Sequence, residues 1–280
     1  KIYIHNAKFD LHVARNAGID PQQIKAQVRD TEVMAWLINP EGKHGLKPLV
    51  KQHFDYVMEE FGQFKAYGRN TLVPASAMAA YAIDDVVQLL RLAPLLERQL
   101  DVLGGSTRKI YEELENVLPV IIEETENTGF KLDASALVNA RVTLQVELQG
   151  IESSVQTKIG QKPKLTSPDW LSKVFVDARQ WWQQPPGTER NANGNVGTDK
   201  ETLKAWAAGK NATAEGAAIA AQVLEHRTIG TLIDRYTTSL TSKLDLNGRL
   251  HGGFNQAGTA TGRFSSSKPN LQNLPKPKPG

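Results

Sequence analysis

The segment from Thr259 to Pro275, with the sequence TATGRFSSSKPNLQNLP, is the most informative stretch of this chain. Small and β-branched residues alternate over its first seven positions, which predicts the edge of a strand. Gly262 in such a run indicates that the backbone comes close to another group. Asn270 and Gln272 are two residues apart, so an extended backbone would place both amides on one side.

The side chains of this segment predict contact with nucleic acid. Arg263 carries a rigid, permanently charged fork of donors. The hydroxyls of Ser265 to Ser267 can bind phosphate oxygens. An arginine, hydroxyls and spaced amides are the groups that read a duplex through its backbone and its minor-groove acceptors. From chemistry alone, a polar loop punctuated by glycine and proline explains these residues equally well.

The composition is that of a soluble globular protein. The 280 residues suffice for two domains, and 40% apolar with 22% charged residues is ordinary for a soluble globular chain. The absence of cysteine excludes disulfides and thiolate metal sites. No run of about eighteen apolar residues and no signal-peptide pattern occurs, so we expect a cytoplasmic protein without a membrane partner.

Charge is distributed unevenly along the chain. The net charge of +3 is only a weak indication of a polyanionic partner. From Glu225 to Gly280, however, there are eight Lys or Arg against three Asp or Glu, whereas the stretch from Glu112 to Glu126 contains six glutamates. The basic end therefore coincides with the segment predicted to contact a duplex.

The TATGRFSSSKPNLQNLP segment resembles the one that enters the palm of family-A DNA polymerases, the bacterial DNA polymerase I type. The resemblance covers about seventeen contiguous positions, and it implies that the segment lies against the minor groove of primer-template DNA. Upstream, Asn255-Gln256 is similar to a pair that the family carries at the start of its palm sheet. Arg249 to Gln256 is expected to form one strand, and the segment after it the next.

The N-terminal part contains a second set of candidate residues. A strand over Lys1–His5 is predicted to lead into a helix near Asp10, and a helix from Ala75 to Arg98 would place Tyr81 and Asp85 on one face. Each motif alone is weak, since Asp10 could be a helix cap and Asp85 a solvated carboxylate. Together they resemble two motifs of the four-carboxylate 3′–5′ exonucleases that family-A polymerases carry for proofreading. This resemblance implies that Asp10 and Asp85 are metal ligands and that Tyr81 positions the attacking water.

The first motif of those exonucleases, Asp-x-Glu on the opening strand, is missing. Asp30-Thr-Glu32 has the right residue types but follows Asp10 along the chain, and Asp30 is well placed to cap a helix that starts at Thr31. We therefore interpret Asp30 as a structural cap. The motif itself is expected to precede Lys1, and the chain is expected to be a fragment of a longer protein.

The middle of the chain is predominantly helical. Apolar spacing predicts a long helix from Ala217 to Leu240, which resembles the thumb helix of family-A polymerases and places Arg227 and Tyr236 at matching positions. Surface charge alone would also explain Arg227. Trp170, Trp181 and Trp182 are expected to pack in a core rather than to stack on bases.

The resemblance implies an α+β multidomain fold: a partial α/β, ribonuclease-H-like exonuclease domain over residues 1–105, a mostly helical thumb over 106–242, and the first antiparallel palm strands over 243–280. It implies a proofreading DNA-directed DNA polymerase that acts in replication and repair. The implied DNA contacts are Arg227, Tyr236, Gln256, Thr261, Arg263, Ser265, Asn270 and Gln272.

The implied partners are primer-template DNA and, in the full-length enzyme, deoxynucleoside triphosphates. Two-metal sites in that enzyme would use Mg²⁺ or Mn²⁺, with the polymerase aspartates beyond Gly280, and the protein is expected to be a monomer. Two alternatives remain: a stand-alone 3′–5′ exonuclease with a helical DNA clamp, and a DNA-binding module without catalytic activity.

Overall fold

The computed structural model of the protein describes residues 1–68 and 73–274. These residues form two compact units, one from Lys1–Phe130 with the described residues from His251 onward, and one from Lys131–Leu250. Most of the chain is helical and the strands are short, in agreement with the predicted α+β class. Within the described ranges, no helix is long and apolar enough to cross a membrane. The division into three domains stays a prediction.

The first unit contains a two-stranded parallel sheet, a two-stranded antiparallel hairpin and the helices packed around them. In the parallel sheet Ile2 pairs with Val28 and Ile4 with Asp30. The strands are β1 (Ile2–Ile4), β2 (Val28–Asp30), and, after the second unit, β5 (Gly253–Asn255) and β6 (Ser265–Ser267). The helices are α1 (Ala7–Asn16), α2 (Pro21–Ile24), α3 (Thr31–Ile38), α4 (Leu46–Phe54), α5 (Ala75–Val102), α6 (Gly105–Ile110) and α7 (Leu118–Thr128).

Asp30 joins the starts of two helices in this unit. Its buried carboxylate accepts the backbone N–H of Ala7 at 2.7 Å, at the start of α1, and that of Glu32 at 2.9 Å, at the start of α3. The predicted helix cap at Asp30 is therefore confirmed. Burial raises the pKa of Asp30 to about 6, although the backbone N–H groups favour the ionised form.

The second unit is organised by aromatic packing. Its helices are α8 (Ala134–Ile159), α9 (Pro168–Leu171), α10 (Lys200–Ala207), α11 (Ala214–Leu232) and α12 (Ser239–Thr241). A wide helical turn over Ile233–Thr238 joins α11 to α12, which confirms the predicted long helix. The short strands β3 (Phe130–Lys131) and β4 (Arg249–Leu250) stand at the limits of this unit.

Two stacked tryptophans occupy the core of the second unit. The rings of Trp182 and Trp206 lie 4.5 Å apart and nearly parallel, and Phe175 packs against Trp182 at 4.7 Å. The three side chains are at most 1% exposed, so the core packing predicted for Trp182 is confirmed. Gly216 is required here, because a Cβ atom would lie 2.2 Å from the carbonyl oxygen of Trp181.

The predicted extended structure near the C-terminus is only partly correct. The single strand expected from Arg249 to Gln256 is interrupted at Gly252, where a Cβ atom would lie 2.8 Å from Leu271 Cδ1. A strand was expected to begin at Thr259, but the backbone forms a turn there. Within the segment from Thr259, the strand is β6. The extended backbone expected at Gln272 was also wrong, because Leu271–Asn273 is a 3-10 helix; the DNA contact of this residue stays a prediction.

We expect Asp30→Ala to lower the free energy of unfolding by about 3 kcal/mol, because several buried N–H groups lose their acceptor. Asp30→Asn keeps one acceptor oxygen and should cost less. Urea denaturation followed by circular dichroism measures both.

The control for this prediction is Asp20→Ala, which removes the exposed cap of α2, where the carboxylate accepts the Gln22 N–H at 3.0 Å. That change should cost about 0.5–1 kcal/mol. An equal cost at positions 20 and 30 would contradict the central role of Asp30.

Candidate functional site

The duplex-contact candidates in the first unit lie on and after a hairpin. In this hairpin β5 and β6 pair antiparallel, with Phe254 opposite Ser266. Between the strands the backbone turns at Thr259 to Arg263, and after β6 it returns past the hairpin through Asn270. The structure thus brings six of the eight predicted contacts into one unit: Gln256, Thr261, Arg263, Ser265, Asn270 and Gln272.

The turn that carries Arg263 is closed by hydrogen bonds of its own. The Thr259 hydroxyl donates to the Arg263 carbonyl at 2.8 Å and lies 3.4 Å from the Thr261 hydroxyl. Gly262 has φ +76°, a left-handed conformation that favours glycine. A Cβ atom at Gly262 would lie 3.7 Å from the ring of Trp36, which is an ordinary van der Waals contact, so the close approach predicted there is not what calls for glycine.

Arg263 itself is exposed, as is Thr261. In the part of the chain that the structure describes, no hydrogen bond or ion pair engages the Arg263 guanidinium, while its carbonyl oxygen is held by Thr259. The backbone of this residue is therefore fixed and its charged group is available to a ligand.

The amide side chains after β6 partly serve the local fold. Asn270 Oδ1 accepts the backbone N–H of Gln272 at 3.0 Å, which caps the 3-10 helix. Gln272 Nε2 donates to the Phe264 carbonyl at 2.7 Å. Both side chains are exposed, and Gln272 Nε2 carries a second N–H besides the one donated to Phe264. Ser265 is half-buried.

Gln256 is buried, unlike the other candidates on the hairpin. Its Nε2 donates to the carbonyl oxygen of Glu115 at 2.8 Å and also to the carboxylate of that residue. In this structure the amide fixes the end of β5 to the preceding helical segment. Its contact with DNA stays a prediction.

The remaining two candidates belong to the second unit. Arg227, in α11, is half-buried and donates from Nη1 to the Thr198 carbonyl at 2.5 Å and from Nη2 to the Thr198 hydroxyl at 3.1 Å. Burial lowers the pKa of Arg227. Tyr236 lies half-buried on the wide helical turn after α11. Arg227 is thus anchored through Thr198 rather than free on the helix surface.

The candidate exonuclease residues occupy two helices of the first unit. Asp10 is exposed in the first turn of α1, and partial desolvation raises the pKa of its carboxyl group. Tyr81 and Asp85 lie on α5. Burial raises the pKa of Asp85, against the opposing effects of a hydrogen bond from Tyr81 and the charge of Lys47. The predicted pairing of Tyr81 with Asp85 on one helix face is confirmed.

The ring of Tyr81 is held by a group of neighbours. Phe61 and Phe64 contact it edge to face at 5.7 and 5.6 Å, and Lys47 Nζ lies 4.9 Å from its centroid. Such a surrounding fixes the direction of the phenol. Sequence reasoning missed these neighbours, since each reads as an ordinary core or surface residue.

A complete metal site is not formed by these carboxylates. Residues 1–68 and 73–274 contain no group of three or more His, Cys, Asp or Glu side chains that could hold a metal ion. Two-metal hydrolysis needs several hard oxygen ligands at one point. Asp10 and Asp85 therefore do not by themselves meet this requirement.

A polar cavity of about 240 Å³ lies beside the hairpin, bordered by Lys8, Glu32, Asn255 and Ser267. Glu32 is half-buried in its wall. Burial, together with the nearby charge of Asp30, raises the pKa of Glu32 to about 7, while Lys8 acts in the opposite direction.

Comparison with known proteins places these features in a family. Residues 134–279 match DNA polymerase family A, and residues 1–101 match a 3′–5′ exonuclease family. The first match covers more than half of the chain. The chain belongs to DNA polymerase family A.

The family relatives are bacterial DNA polymerases I. The one from Treponema pallidum (strain Nichols) is 32% identical over 276 residues, which cover 98% of this chain and 26% of the relative. The one from Synechocystis is 29% identical over 278 residues, covering 97% of this chain and 27% of the relative. The chain thus spans about a quarter of the length of these curated relatives.

A solved family structure shares the fold. It is the POL domain of Pol1 from M. smegmatis in complex with DNA primer-template and dNTP, with a TM-score of 0.76 and 22% identity. The similarity covers 99% of this chain and 43% of that one. At 22% identity this similarity shows a shared fold.

Glu32 generates a prediction about pH. The pKa of Glu32 in the folded chain is about 7, above the ordinary value of 4.5, so between these values the folded chain binds more protons than the unfolded chain. The contribution of this group to the free energy of unfolding therefore falls as the pH rises from about 4.5 to 7. Glu32→Gln should therefore raise the free energy of unfolding by about 1–2 kcal/mol at pH 8, after allowance for partial exposure, and change it little at pH 4.5.

The measurement is urea denaturation at both pH values. Asp30 titrates in the same window and its charge contributes to the raised pKa of Glu32, so the difference between the two chains reports Glu32 together with its coupling to Asp30. The exposed Glu41→Gln controls for removal of a negative charge. A gain that is the same at pH 4.5 and pH 8 would count against a desolvated Glu32.

Proposed function

We propose that this chain is part of a proofreading DNA-directed DNA polymerase, and that its own contribution is to hold primer-template DNA. The observation that supports this most directly is Arg263: an exposed guanidinium on a turn whose backbone is fixed, in a segment that matches DNA polymerase family A. A planar fork of donors in that setting suits the acceptors of a minor groove.

The minor groove gives this contact a role in checking the primer end. Every correct base pair presents acceptors there, so donors from Arg263, Asn270 and Gln272 would bind a paired duplex without reading its sequence. A mispair displaces those acceptors and weakens the contact. Hydroxyls of Thr261 and Ser265 would add contacts to the backbone.

In the second unit, Arg227 and Tyr236 are proposed to contact phosphates. The guanidinium of Arg227 has five N–H donors, and Thr198 engages two of its nitrogens, so the bond to Thr198 both orients the group and leaves donors for an anion. We also propose the division into exonuclease part (1–105), thumb (106–242) and palm start (243–280).

The polymerase reaction belongs to the full-length protein. There, deoxynucleoside triphosphates and divalent ions, Mg²⁺ or Mn²⁺, would be required, with further ligands outside the residues described above. Asp10, Asp85 and Tyr81 are proposed as exonuclease residues, and the two carboxylates would supply only part of that metal site.

Arg263→Ala should weaken binding to a primer-template duplex about tenfold, because one bidentate contact contributes about 1–3 kcal/mol. Fluorescence anisotropy with a labelled duplex measures this for the chain. In the full-length protein, the same substitution should reduce primer extension far more than excision on single-stranded DNA.

The matched control is Arg98→Ala, which removes an exposed arginine from α5 of the same unit. It should change duplex affinity less than twofold, as expected for a surface charge outside the hairpin. If Arg263→Ala reduced extension and single-strand excision equally, the proposed contact of Arg263 with the duplex would be wrong, and an exonuclease with a DNA clamp would be favoured.

Asp85→Asn in the full-length protein should abolish most 3′–5′ excision and leave primer extension within about twofold, because the two activities use separate sites. Excision and extension of a labelled primer are measured in parallel. The control is Asp84→Asn, which alters the neighbouring carboxylate that accepts from Tyr56 and Gln88. If Asp84→Asn abolished excision and Asp85→Asn did not, the assignment of Asp85 would be wrong.

A further inference from the structure

We propose that Trp36 is a positioning residue for the duplex contact: its indole holds the turn that presents Arg263. This inference rests on the proposed function of Arg263 as a DNA contact. It adds a role for a residue in the part of the chain that matches the exonuclease family, acting on the part that matches DNA polymerase family A.

Trp36 reaches the turn from a rigid position. It lies on α3, is 6% exposed, and its neighbours Val33, Met34 and Ala35 belong to the core of the first unit. Its Nε1 donates to the Thr259 carbonyl oxygen at 2.9 Å. A side chain fixed by packing on a helix is a precise support for a loop.

Thr259 transmits this support to Arg263. The Thr259 carbonyl oxygen accepts the Trp36 indole N–H, and the hydroxyl of the same residue donates to the Arg263 carbonyl at 2.8 Å. Gly262, in its left-handed conformation, lies beside the same indole, since a Cβ atom built on it would be 3.7 Å from the ring. Both ends of the turn therefore lie next to the Trp36 side chain.

A second set of bonds fixes the base of the hairpin. Phe254, in β5, donates its N–H to Glu126 Oε1 at 2.6 Å, and its carbonyl accepts from Lys8 Nζ at 2.6 Å. Lys8 and Glu126 also pair with each other at 2.9 Å. Since the base is held independently, loss of the Trp36 bond should loosen the turn without releasing the hairpin.

The bonds from Trp36 and Thr259 would control the direction in which the Arg263 side chain points. The guanidinium donors of Arg263 lie in one plane, so bidentate binding requires that the backbone aim the side chain correctly. A turn that samples several orientations spends less time in the binding geometry. Weaker duplex binding should follow even though Arg263 is still present.

The test is a double-mutant cycle between Trp36→Phe and Arg263→Ala, read as duplex affinity by anisotropy. Phenylalanine keeps an aromatic ring in the core but cannot donate to Thr259. We expect Trp36→Phe to weaken binding about fivefold when Arg263 is present and less than twofold in the Arg263→Ala background. A residue that only stabilises the fold would not lose its effect when Arg263 is removed.

Trp206→Phe is the matched control. Its Nε1 donates to the Gln183 carbonyl oxygen at 3.0 Å, so the substitution removes the same kind of bond from a buried tryptophan in the other unit. It should lower the thermal midpoint but show no coupling with Arg263→Ala. Thr259→Val provides a second route, because it removes the bond to Arg263 and leaves the Trp36 bond; it should show the same coupling even if Trp36→Phe unfolds.

The outcomes separate the two proposals. If Arg263→Ala weakens binding while Trp36→Phe and Thr259→Val have the same effect in both backgrounds, the positioning role is overturned and the duplex contact stands. If Arg263→Ala leaves duplex affinity unchanged, the proposed function fails first, and the positioning role falls with it.

Discussion

The first compact unit depends on one buried carboxylate. Asp30 ends β2, and its two oxygens accept N–H groups from the first turns of α1 and α3. Its own N–H donates to Asn116 Oδ1, and Asn116 Nδ2 donates to the Val28 carbonyl. One side chain therefore sets the relative direction of a strand and two helices, including the helices that carry Asp10 and Trp36. Its desolvation is compensated by the several N–H groups that it accepts.

Buried charge also fixes the hairpin that presents Arg263. Burial alone would raise the pKa of Glu126, but the N–H of Phe254 and the side chains of Lys8 and His12 lower it. The neighbouring Glu123 is fully buried and receives both Nε and Nη2 of Arg15 at 2.7 Å. Buried ion pairs contribute little net stability, because desolvation offsets their attraction. Their directional bonds nevertheless keep α1, α7 and β5 in one arrangement, which the proposed duplex contact requires.

Much of the local structure could be predicted from the sequence, because the responsible interactions are local. A carboxylate before Thr31 caps α3, residues four apart place Tyr81 beside Asp85, and apolar spacing reveals the helix through Arg227. Prediction failed where a distant residue decides the backbone. Leu271 against Gly252 interrupts an expected strand, and the bond from Gln272 to the Phe264 carbonyl accompanies a 3-10 helix where an extended run was expected.

The sequence by itself determined the family, the positions of the long helices and the identity of the donors in the TATGRFSSSKPNLQNLP segment. Motifs and hydrophobic periodicity depend on residues that are close together in the chain, so they can be recognised without the structure. Only the tertiary structure decided how those donors are held. Trp36 and Thr259 are 223 residues apart in sequence, and nothing in the pattern of either segment marks the 2.9 Å bond between them. The same holds for Gln256, which the resemblance places among the DNA contacts and whose amide the fold buries against Glu115. Contacts of this kind depend on how segments far apart in sequence pack together, and local helix or strand propensity carries no information about that packing.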